Sequence, residues 1–180
     1  YGLGAKKGEE KTIAVYDLGG GTFDISILTI SNGIFEVLST NGDTYLGGDD
    51  IDRMLAQHWN KELNIADTDK SMMQQLRVTA EEAKKHLSAN DLFEGVIDGK
   101  NVSITKQHFN ELIQPLVDRT ITACGNALKD AGLKTEQIDE VVMVGGSTRV
   151  PLVKESVKRF FGREVHDELN PDEVVALGAA

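Results

Sequence analysis

The chain has 180 residues, of which 40% are hydrophobic and 27% charged, as expected for a globular domain with one sizeable core. Its net charge of −10 argues against a nucleic-acid partner held through phosphates, and no apolar run is long enough to cross a bilayer, so we expect neither nucleic acid nor membrane as a partner. The single cysteine, Cys124, lies in an apolar helical pattern, which favours a small buried side chain and a reducing, cytoplasmic compartment.

The first part of the chain predicts three strands joined by tight turns. The strand-like runs are Ile13–Tyr16, Phe23–Leu28 and Ile34–Ser39. A glycine-rich turn separates the first two runs, and Ser31-Asn32-Gly33 is typical of a hairpin turn. The polar segment Thr40–Gly48 contains glycines and predicts a loop.

Two helices and a short hairpin follow. Asp49-Asp50 predicts the start of the first helix, and the second is predicted from about Ser71 to Ser88. The hairpin has Asp98-Gly99 at its turn, which suits type I′ geometry, between the strands Leu92–Ile97 and Asn101–Ile104.

A long helix is predicted next, with Thr105 as its N-cap, Ala131 as its last residue and Gly132 beyond its end. Pro115 lies inside this helical pattern. Because proline removes a hydrogen bond from a helix interior, we expect Pro115 to kink the helix or to split it in two at a subdomain joint.

The last third alternates between strands and helices. The predicted elements are a strand Glu140–Val144, a Gly145-Gly146 turn, a helix Val150–Phe161, a short strand near Val165 and a final helix capped by Asn170. The order of elements predicts an α/β fold with a sheet covered by helices. The segment 49–113 is interpreted as an insertion that forms a smaller subdomain, and 1–48 with 114–180 as the core lobe.

The segment Asp17–Asp24, with the sequence DLGGGTFD, is the most informative motif. Its three glycines let backbone amides approach an anion, and Thr22 adds a hydroxyl group. Two aspartates beside a phosphate would repel it unless Mg²⁺ lies between them, and Mg²⁺ prefers oxygen ligands. A strand follows the glycines, which excludes a Rossmann motif, and an ordinary glycine hairpin is the alternative.

Two further motifs suggest the rest of a ligand site. In the segment Val144–Pro151, a strand ends, two glycines follow and a helix begins, which favours an anion or a base at the helix start, with Arg149 able to stack on a base. Glu81, Lys84 and Ser88 share one helix face and suit a ribose and a base edge. The alternatives are a tight turn with a solvated arginine, and a solvated helix face with an i,i+3 ion pair.

Together these motifs resemble the second lobe of the ATPase domain of the seventy-kilodalton heat-shock chaperones. The similar segments are VYDLGGGTFD (Val15–Asp24), LGGDD-D (Leu46–Asp52), EEAKKHLS (Glu81–Ser88), ALKDAGL (Ala127–Leu133), VGGSTRVP (Val144–Pro151) and LNPDEVVALGAA (Leu169–Ala180). The resemblance implies an actin-like (ribonuclease H-like) ATPase lobe, with a mixed sheet flanked by helices and an inserted smaller α+β subdomain. It also implies that MgATP or MgADP is bound between two lobes.

The resemblance assigns roles to individual residues of this chain. It implies phosphate binding by Gly19, Gly20, Gly21 and Thr22, and catalytic roles for Asp17 and Thr22. Ribose and adenine would be bound by Gly48, Glu81, Lys84, Ser88, Gly145, Gly146, Ser147 and Arg149. Asp17 and Asp172 would face the metal region, where Mg²⁺ is held through water.

Three segments are most similar to the HscA type of these chaperones, which serves iron–sulfur cluster assembly: AVYDLGGGTFDISIL (Ala14–Leu28), TACGNALKDAGL (Thr122–Leu133) and VVMVGGSTRVPLV (Val141–Val153). That subtype implies a J-domain co-chaperone and a client protein, the cluster scaffold, as partners. The general DnaK type is the alternative within the family. Outside it, an actin-superfamily sugar kinase or filament protein and a non-enzymatic interaction module remain alternatives.

Both ends of the chain are expected to be cuts in a longer protein, because the chain does not start with Met and ends in Gly178-Ala179-Ala180 within a predicted helix. The family's first lobe, linker and substrate-binding domain have no counterpart here. We therefore expect the longer protein to hydrolyse ATP and the isolated fragment to be inactive, because positioning phosphate, metal and water needs both lobes.

Overall fold

The computed structural model describes residues 8–66 and 69–167, and a five-stranded mixed sheet forms the centre of this part of the chain. The strand order is β3–β2–β1–β6–β7. The strands are β1 (Glu10–Leu18), β2 (Phe23–Ser31), β3 (Ile34–Asp43), β6 (Glu140–Val144) and β7 (Val165–His166). The final helix predicted from Asn170 lies outside the described residues.

Helices and a small hairpin complete the described chain. The helices are α1 (Gly48–Leu63), α2 (Lys70–His86), α3 (Lys106–Ala131) and α4 (Pro151–Phe161). Between α2 and α3, the strands β4 (Leu92–Ile97) and β5 (Lys100–Thr105) form a separate two-stranded sheet. Every predicted element within the described ranges is therefore present, with its ends shifted by a few residues.

The pairing of β1 decides where the two glycine motifs lie. β1 pairs antiparallel with β2, and on its other side it pairs parallel with β6, with Asp17 opposite Val144. Parallel strands end at the same edge of a sheet, so the turn after Leu18 and the turn after Val144 meet there. These two motifs are more than 120 residues apart in the sequence, and this pairing brings them together.

Local turn and cap predictions are confirmed. Asn32 and Gly33 have φ values of 51° and 77°, and Asp98 and Gly99 have values of 47° and 73°, as a type I′ turn requires at both central positions. The Thr105 hydroxyl accepts a hydrogen bond from the amide of His108 at 3.1 Å and caps α3.

The prediction of a loop over Thr40–Gly48 is wrong at both ends. β3 continues to Asp43, because its backbone pairs with β2 as far as Phe23, and α1 begins at Gly48. Position 42 of the strand requires glycine, because the Cβ of any other residue there would collide with the carbonyl oxygen of Phe23. Backbone pairing has therefore overridden the polar, loop-like composition of this segment.

Pro115 does not split α3 in two, one of the two outcomes expected there, because the helix is continuous from Lys106 to Ala131. Proline removes one intrahelical hydrogen bond, whereas buried residues of α3 lie on both sides of it, including Ile113 and Val117. Burial of this face holds the helix together, while Pro115 itself is exposed.

The larger of two apolar clusters in the described chain joins the sheet to the helices and the small hairpin. It contains Phe23 and Ile25 from the sheet together with Leu76 and Phe93 from the segment predicted to be inserted. Cys124 belongs to the same cluster, is fully buried, and burial raises the pKa of its thiol to about 12, so its predicted role as a small buried residue is confirmed. Among the described residues, no helix combines the length and the apolar character that crossing a membrane requires.

A buried hydrogen bond joins the central strand to the long helix. The phenol of Tyr16 donates to Oγ1 of Thr120 at 2.7 Å, and that hydroxyl donates in turn to the carbonyl oxygen of Val117 at 2.7 Å. Tyr16 and Thr120 are at most 1% exposed, and burial raises the pKa of the phenol well above its usual range. The pair therefore satisfies polar groups that would otherwise be costly to bury.

We expect this pair to show strong coupling in a double-mutant cycle. Y16F should lower the free energy of unfolding by about 1–2 kcal/mol, and T120V by about 1–3 kcal/mol because it leaves a buried phenol without an acceptor. The double variant should lose less than the sum, because no polar partner is then left unpaired. Urea unfolding measures all four proteins, and additive losses would contradict the inferred coupling.

Candidate functional site

The glycine turn between β1 and β2 is held from one side by the start of α1. The amide of Gly19 donates to the carbonyl oxygen of Thr22 at 3.1 Å and closes the turn. The amides of Gly48 and Asp49 donate to the carbonyl oxygens of Gly19 and Gly20 at 2.9 and 2.7 Å. The carbonyl groups of the turn are therefore occupied by the helix.

The amides of the same turn are available for a ligand. The backbone N–H groups of Gly20, Gly21 and Thr22 donate to no residue in the described part of the chain, and all three residues are exposed. A row of adjacent free amides forms a concave site for an anion.

The fold itself does not require glycine at these positions. None of Gly19, Gly20 and Gly21 has a φ in the left-handed region. An added Cβ would meet only ordinary contacts at Gly19 and Gly20, at 3.8 and 3.7 Å, and at Gly21 no atom of the described residues within 4 Å. A simple hairpin therefore does not explain three consecutive glycines, whereas a ligand that must touch the backbone does.

The second motif packs directly against this turn. Gly145 has a φ of 95°, and a side chain there would collide with the carbonyl oxygen of Leu18. The hydroxyl of Ser147 donates to the carbonyl oxygen of Gly19 at 3.2 Å. The two glycine motifs thus form one continuous surface at the edge of the sheet.

The helix after the second motif starts later than predicted. A 3₁₀ turn over Gly146–Arg149 precedes α4, and Val150, predicted as the first helical residue, is its N-cap. The amides of Thr148 and Val150 are used within this turn, by the carbonyl oxygens of Gly145 and Ser147. Those two amides are therefore not free for a ligand. The expectation that free amides at this helix start would bind an anion is wrong for Thr148 and Val150.

The third motif, on α2, faces the two glycine motifs. Its residues form ion pairs other than the i,i+3 pair of Glu81 with Lys84 that the sequence suggested as an alternative. Glu81 pairs with Lys85 at 2.7 Å, and this neighbour holds the pKa of the Glu81 carboxyl below its usual range. Lys84 pairs with Asp52 of α1 instead of with Glu81. The i,i+3 pair of a purely solvated helix face is therefore not formed.

A cleft of about 550 Å³ lies where the three motifs meet, a size typical of small-molecule sites. It is lined by Gly20, Gly48, Asp49, Asp52, Glu81, Lys84, Lys85, Ser88, Gly146, Ser147, Arg149 and Val150. Most of the residues predicted to contact ribose or adenine line this cleft. The predicted residues that do not line it are Asp17, Gly19, Gly21, Thr22 and Gly145, and Asp172 lies outside the described residues.

A second, larger groove of about 820 Å³ contains none of the predicted residues. It runs along the start of α3 and includes Asp91, Lys106 and Asn110. The smaller cleft is the stronger candidate, because it joins the glycine turn, the second motif and α2, none of which lines the larger groove.

Sequence reasoning assigned no site role to several residues that line the cleft. Asp49, Asp52 and Lys85 belong to this group. The run Asp49-Asp50-Ile51-Asp52 was interpreted as the start of a helix and as part of a segment similar to the family, and Asp50 does cap the helix by accepting a hydrogen bond from the amide of Gly47 at 2.9 Å. The similar segment ends at Asp52, but its burial is a tertiary property, so the sequence offered no reason to assign it a site role.

Two carboxylates face each other across the strands that flank the glycine turn. Asp17 lies opposite Asp24 in the register of β1 and β2. Burial first, and the charge of Asp24 second, raise the pKa of the Asp17 carboxyl above its usual range. Like charges directly opposite each other are unfavourable in a sheet, and a divalent cation would relieve this repulsion.

These two carboxylates fit a magnesium ion that keeps most of its water. Mg²⁺ takes oxygen ligands and is usually bound by one or two carboxylates together with phosphate oxygens and water. Among the described residues there is no cluster of three or more His, Cys, Asp or Glu side chains arranged to hold a metal. The protein donors present therefore suit an ion shared with a phosphate ligand better than a closed metal site.

Comparison with known proteins gives an Hsp70 protein family model that matches residues 1–180. The chain is similar to proteins named chaperone protein HscA, with 54% identity to that of Cronobacter sakazakii, 52% to that of Klebsiella pneumoniae and 54% to that of Escherichia fergusonii. Each alignment spans 181 residues and covers 100% of this chain but 29% of the relative. The chain thus spans less than a third of the length of these relatives.

The raised pKa of Asp17 predicts a pH-dependent gain of stability in D17N. A carboxyl with a raised folded-state pKa destabilises the fold as pH rises from its unfolded value through its folded value. D17N should therefore unfold at a higher temperature than the wild type at pH 7 without ligand, and the difference should shrink toward pH 4. Thermal unfolding at both pH values, with E94Q as an exposed-carboxylate control, tests this. An unchanged or lower unfolding temperature for D17N at pH 7 would contradict it.

Proposed function

The chain belongs to the Hsp70 family, and on this premise we propose that it forms the second lobe of the ATP-binding domain of a longer HscA-type chaperone. Its mixed sheet flanked by helices is the actin-like α/β fold of that family's ATPase domain. The observation that carries the proposal is the row of free amides at Gly20, Gly21 and Thr22 beside the cleft. The longer protein would couple ATP binding and hydrolysis to the binding of client proteins.

The glycine turn would hold the β- and γ-phosphates of the nucleotide. Amides that donate to a charged phosphate form strong hydrogen bonds, and the absence of side chains on Gly19, Gly20 and Gly21 allows close approach. Thr22 would add its hydroxyl at the same place. The α1 helix supports this arrangement because its first amides fix the carbonyl groups on the opposite side of the turn.

The cleft beyond the turn would hold the nucleoside. Its charged lining residues balance, with Asp49, Asp52 and Glu81 against Lys84, Lys85 and Arg149. An environment without net charge suits the uncharged ribose and adenine. Glu81 and Lys84 would contact the ribose, and the adenine would lie among Ser88, Gly145, Gly146, Ser147 and Arg149, whose guanidinium group can stack on a base.

Asp17 would face the metal and water next to the phosphates, and we assign Asp172 to the same region. Bound Mg²⁺ neutralises phosphate charge and orients the phosphate groups for transfer. Asp17 itself would supply a carboxylate oxygen that holds this ion through water. Its half-buried position opposite Asp24 supports the assignment.

Hydrolysis would require a second lobe. Catalysis of phosphoryl transfer depends mainly on positioning the phosphate. The cleft is open in the described chain, so Asp17 and Thr22 could contribute to catalysis only if a second lobe also held the phosphate from the other side. Within the lobe, we propose that 1–48 and 114–180 form the core and that 49–113 form the smaller inserted subdomain. Its separate two-stranded sheet supports this division.

The proposed partners follow from the HscA type. They are an adenine nucleotide, a J-domain co-chaperone and a client protein, with the iron–sulfur cluster scaffold as the client, in the cytoplasm. The name HscA carried by similar proteins favours this type over the general DnaK type. A sugar kinase or a filament protein is not favoured, because the match to the Hsp70 family extends over the whole chain.

Substitution of Gly20 should separate ligand binding from folding. G20A and G20V place a side chain where a phosphate must approach, but an added Cβ has its nearest contact at 3.7 Å, so the fold has room for at least the alanine methyl group. In the full-length protein, we expect thermal stability close to wild type and a loss of MgATP affinity of about 10- to 100-fold, the cost of one or more charge-assisted hydrogen bonds.

The matched control is G125A, in α3. An added Cβ there has its nearest contact at 3.9 Å, and Gly125 lies far from the glycine turn in the sequence. It should bind MgATP as the wild type does. Calorimetric titration and thermal unfolding on the same samples give both quantities. A folded G20V protein with wild-type affinity would remove the main support for the phosphate site.

The isolated 180-residue chain should show no steady ATP turnover, whereas the full-length protein should hydrolyse ATP. The reason is that one lobe alone supplies only part of the groups that position phosphate, metal and water. Phosphate release measured on both proteins tests the difference. Turnover by the isolated chain that D17N abolishes would contradict this prediction, and it would show that one lobe is sufficient.

A further inference from the structure

Asp52 is a buried carboxylate at the wall of the cleft, next to a residue that the proposed function uses. It lies in α1 and is 8% exposed. Its Oδ2 accepts a hydrogen bond from Nζ of Lys84 at 2.9 Å, and its Oδ1 lies 2.8 Å from the same nitrogen. Both carboxylate oxygens therefore face one ammonium group, and the pair joins α1 to α2.

The position of the Lys84 ammonium group is closely restricted. It also donates to the carbonyl oxygen of Gly48 at 3.4 Å, and a Cβ on Gly48 would approach it within 3.2 Å. The same Cβ would collide with the hydroxyl of Ser147, which in turn contacts the glycine turn through Gly19. The ammonium group thus lies where all three motifs come together.

Fold stability alone gives little reason for this pair. Burial raises the pKa of the Asp52 carboxyl above its usual range, although Lys84 opposes the change. Burying an ion pair costs desolvation energy that the attraction between its members often fails to offset. A role in the cleft accounts for the pair better than a contribution to folding does.

We propose that Asp52 is a positioning residue for nucleoside binding, which fixes the ammonium group of Lys84 in the cleft and neutralises its charge. The inference rests on the proposed function and extends it to a residue to which that function assigns no ligand contact. A lysine without such a partner is a point cation that attracts phosphate. Paired with Asp52, Lys84 becomes a directed hydrogen-bond donor to an uncharged hydroxyl group, and phosphate is left to the amides of the glycine turn.

The test separates the uncharged and the charged halves of the nucleotide. Adenosine and inorganic pyrophosphate with Mg²⁺ are measured separately, by competition with a fluorescent ADP analogue, on the full-length protein. D52N should bind adenosine about 10- to 100-fold more weakly, the range expected for a misplaced charge-assisted hydrogen bond, and should bind pyrophosphate at least as tightly as the wild type. A purely structural role would weaken both ligands together.

Further variants test whether Asp52 acts through Lys84. K84M should weaken adenosine binding as D52N does, and D52N/K84M should be no worse than K84M alone, because the two changes remove the same contact. D52E, which keeps the charge, should restore most of the affinity. E62Q, an exposed change on α1, should bind both ligands as the wild type does.

The outcomes distinguish the two levels of inference. If the wild type does not bind the ADP analogue, the proposed function and the role of Asp52 both fail. If the wild type binds it and D52N binds adenosine normally, or if the losses of D52N and K84M add, only the role of Asp52 fails.

Should D52N not fold, D52L/K84M replaces the ion pair by apolar side chains. It should lose adenosine binding and keep pyrophosphate binding, and equal losses of both ligands would overturn the inference.

Discussion

The parallel pairing of β1 with β6 is the constraint on which the whole candidate site depends. It places Asp17 opposite Val144, so that two strands far apart in the chain end at one edge of the sheet. The turns that follow can then touch, and the hydroxyl of Ser147 reaches the carbonyl oxygen of Gly19. The start of α1 contacts the same turn through the amides of Gly48 and Asp49, and α2 packs against α1. A shift in this register would separate the groups that form the cleft.

Glycines of one small region are present for two different physical reasons. Gly47 and Gly145 are required by packing, because a side chain on either would collide with the backbone of a neighbouring segment. Gly19, Gly20 and Gly21 have room for a side chain and no strained φ. The first group builds the site, and the second leaves its surface bare for a ligand. This difference is what favours a phosphate site over an ordinary hairpin.

Charge is divided along the cleft in a way that matches the two halves of a nucleotide. The glycine turn offers uncharged amide donors next to acidic side chains, an arrangement that accepts phosphate only when a cation accompanies it. Farther along, buried or paired charges cancel, as in Asp52 with Lys84 and Glu81 with Lys85. An acidic protein can bind a polyanion in this way, since the backbone and a metal ion take the charge that its surface would repel.

The sequence by itself determined the features that depend on neighbouring residues. The β-hairpins at Asn32-Gly33 and Asp98-Gly99, the cap at Thr105 and, within the described residues, the order of strands and helices follow from local conformational preferences, and each was predicted correctly. The candidate motifs were also recognised, because glycine runs and helical spacing are local patterns. That they share one cleft was inferred from resemblance alone.

Only the tertiary structure decided which interactions override these local preferences. Pairing with β2 extended β3 through a polar segment that resembles a loop, and burial of both halves of α3 held the helix together across Pro115. The partner of Lys84 was likewise decided in three dimensions, since Glu81 lies three residues away on the same helix but Asp52 lies across the interface with α1. Burial, strand register and ion pairing join residues far apart in the chain, so they cannot be predicted from a pattern of neighbouring residues.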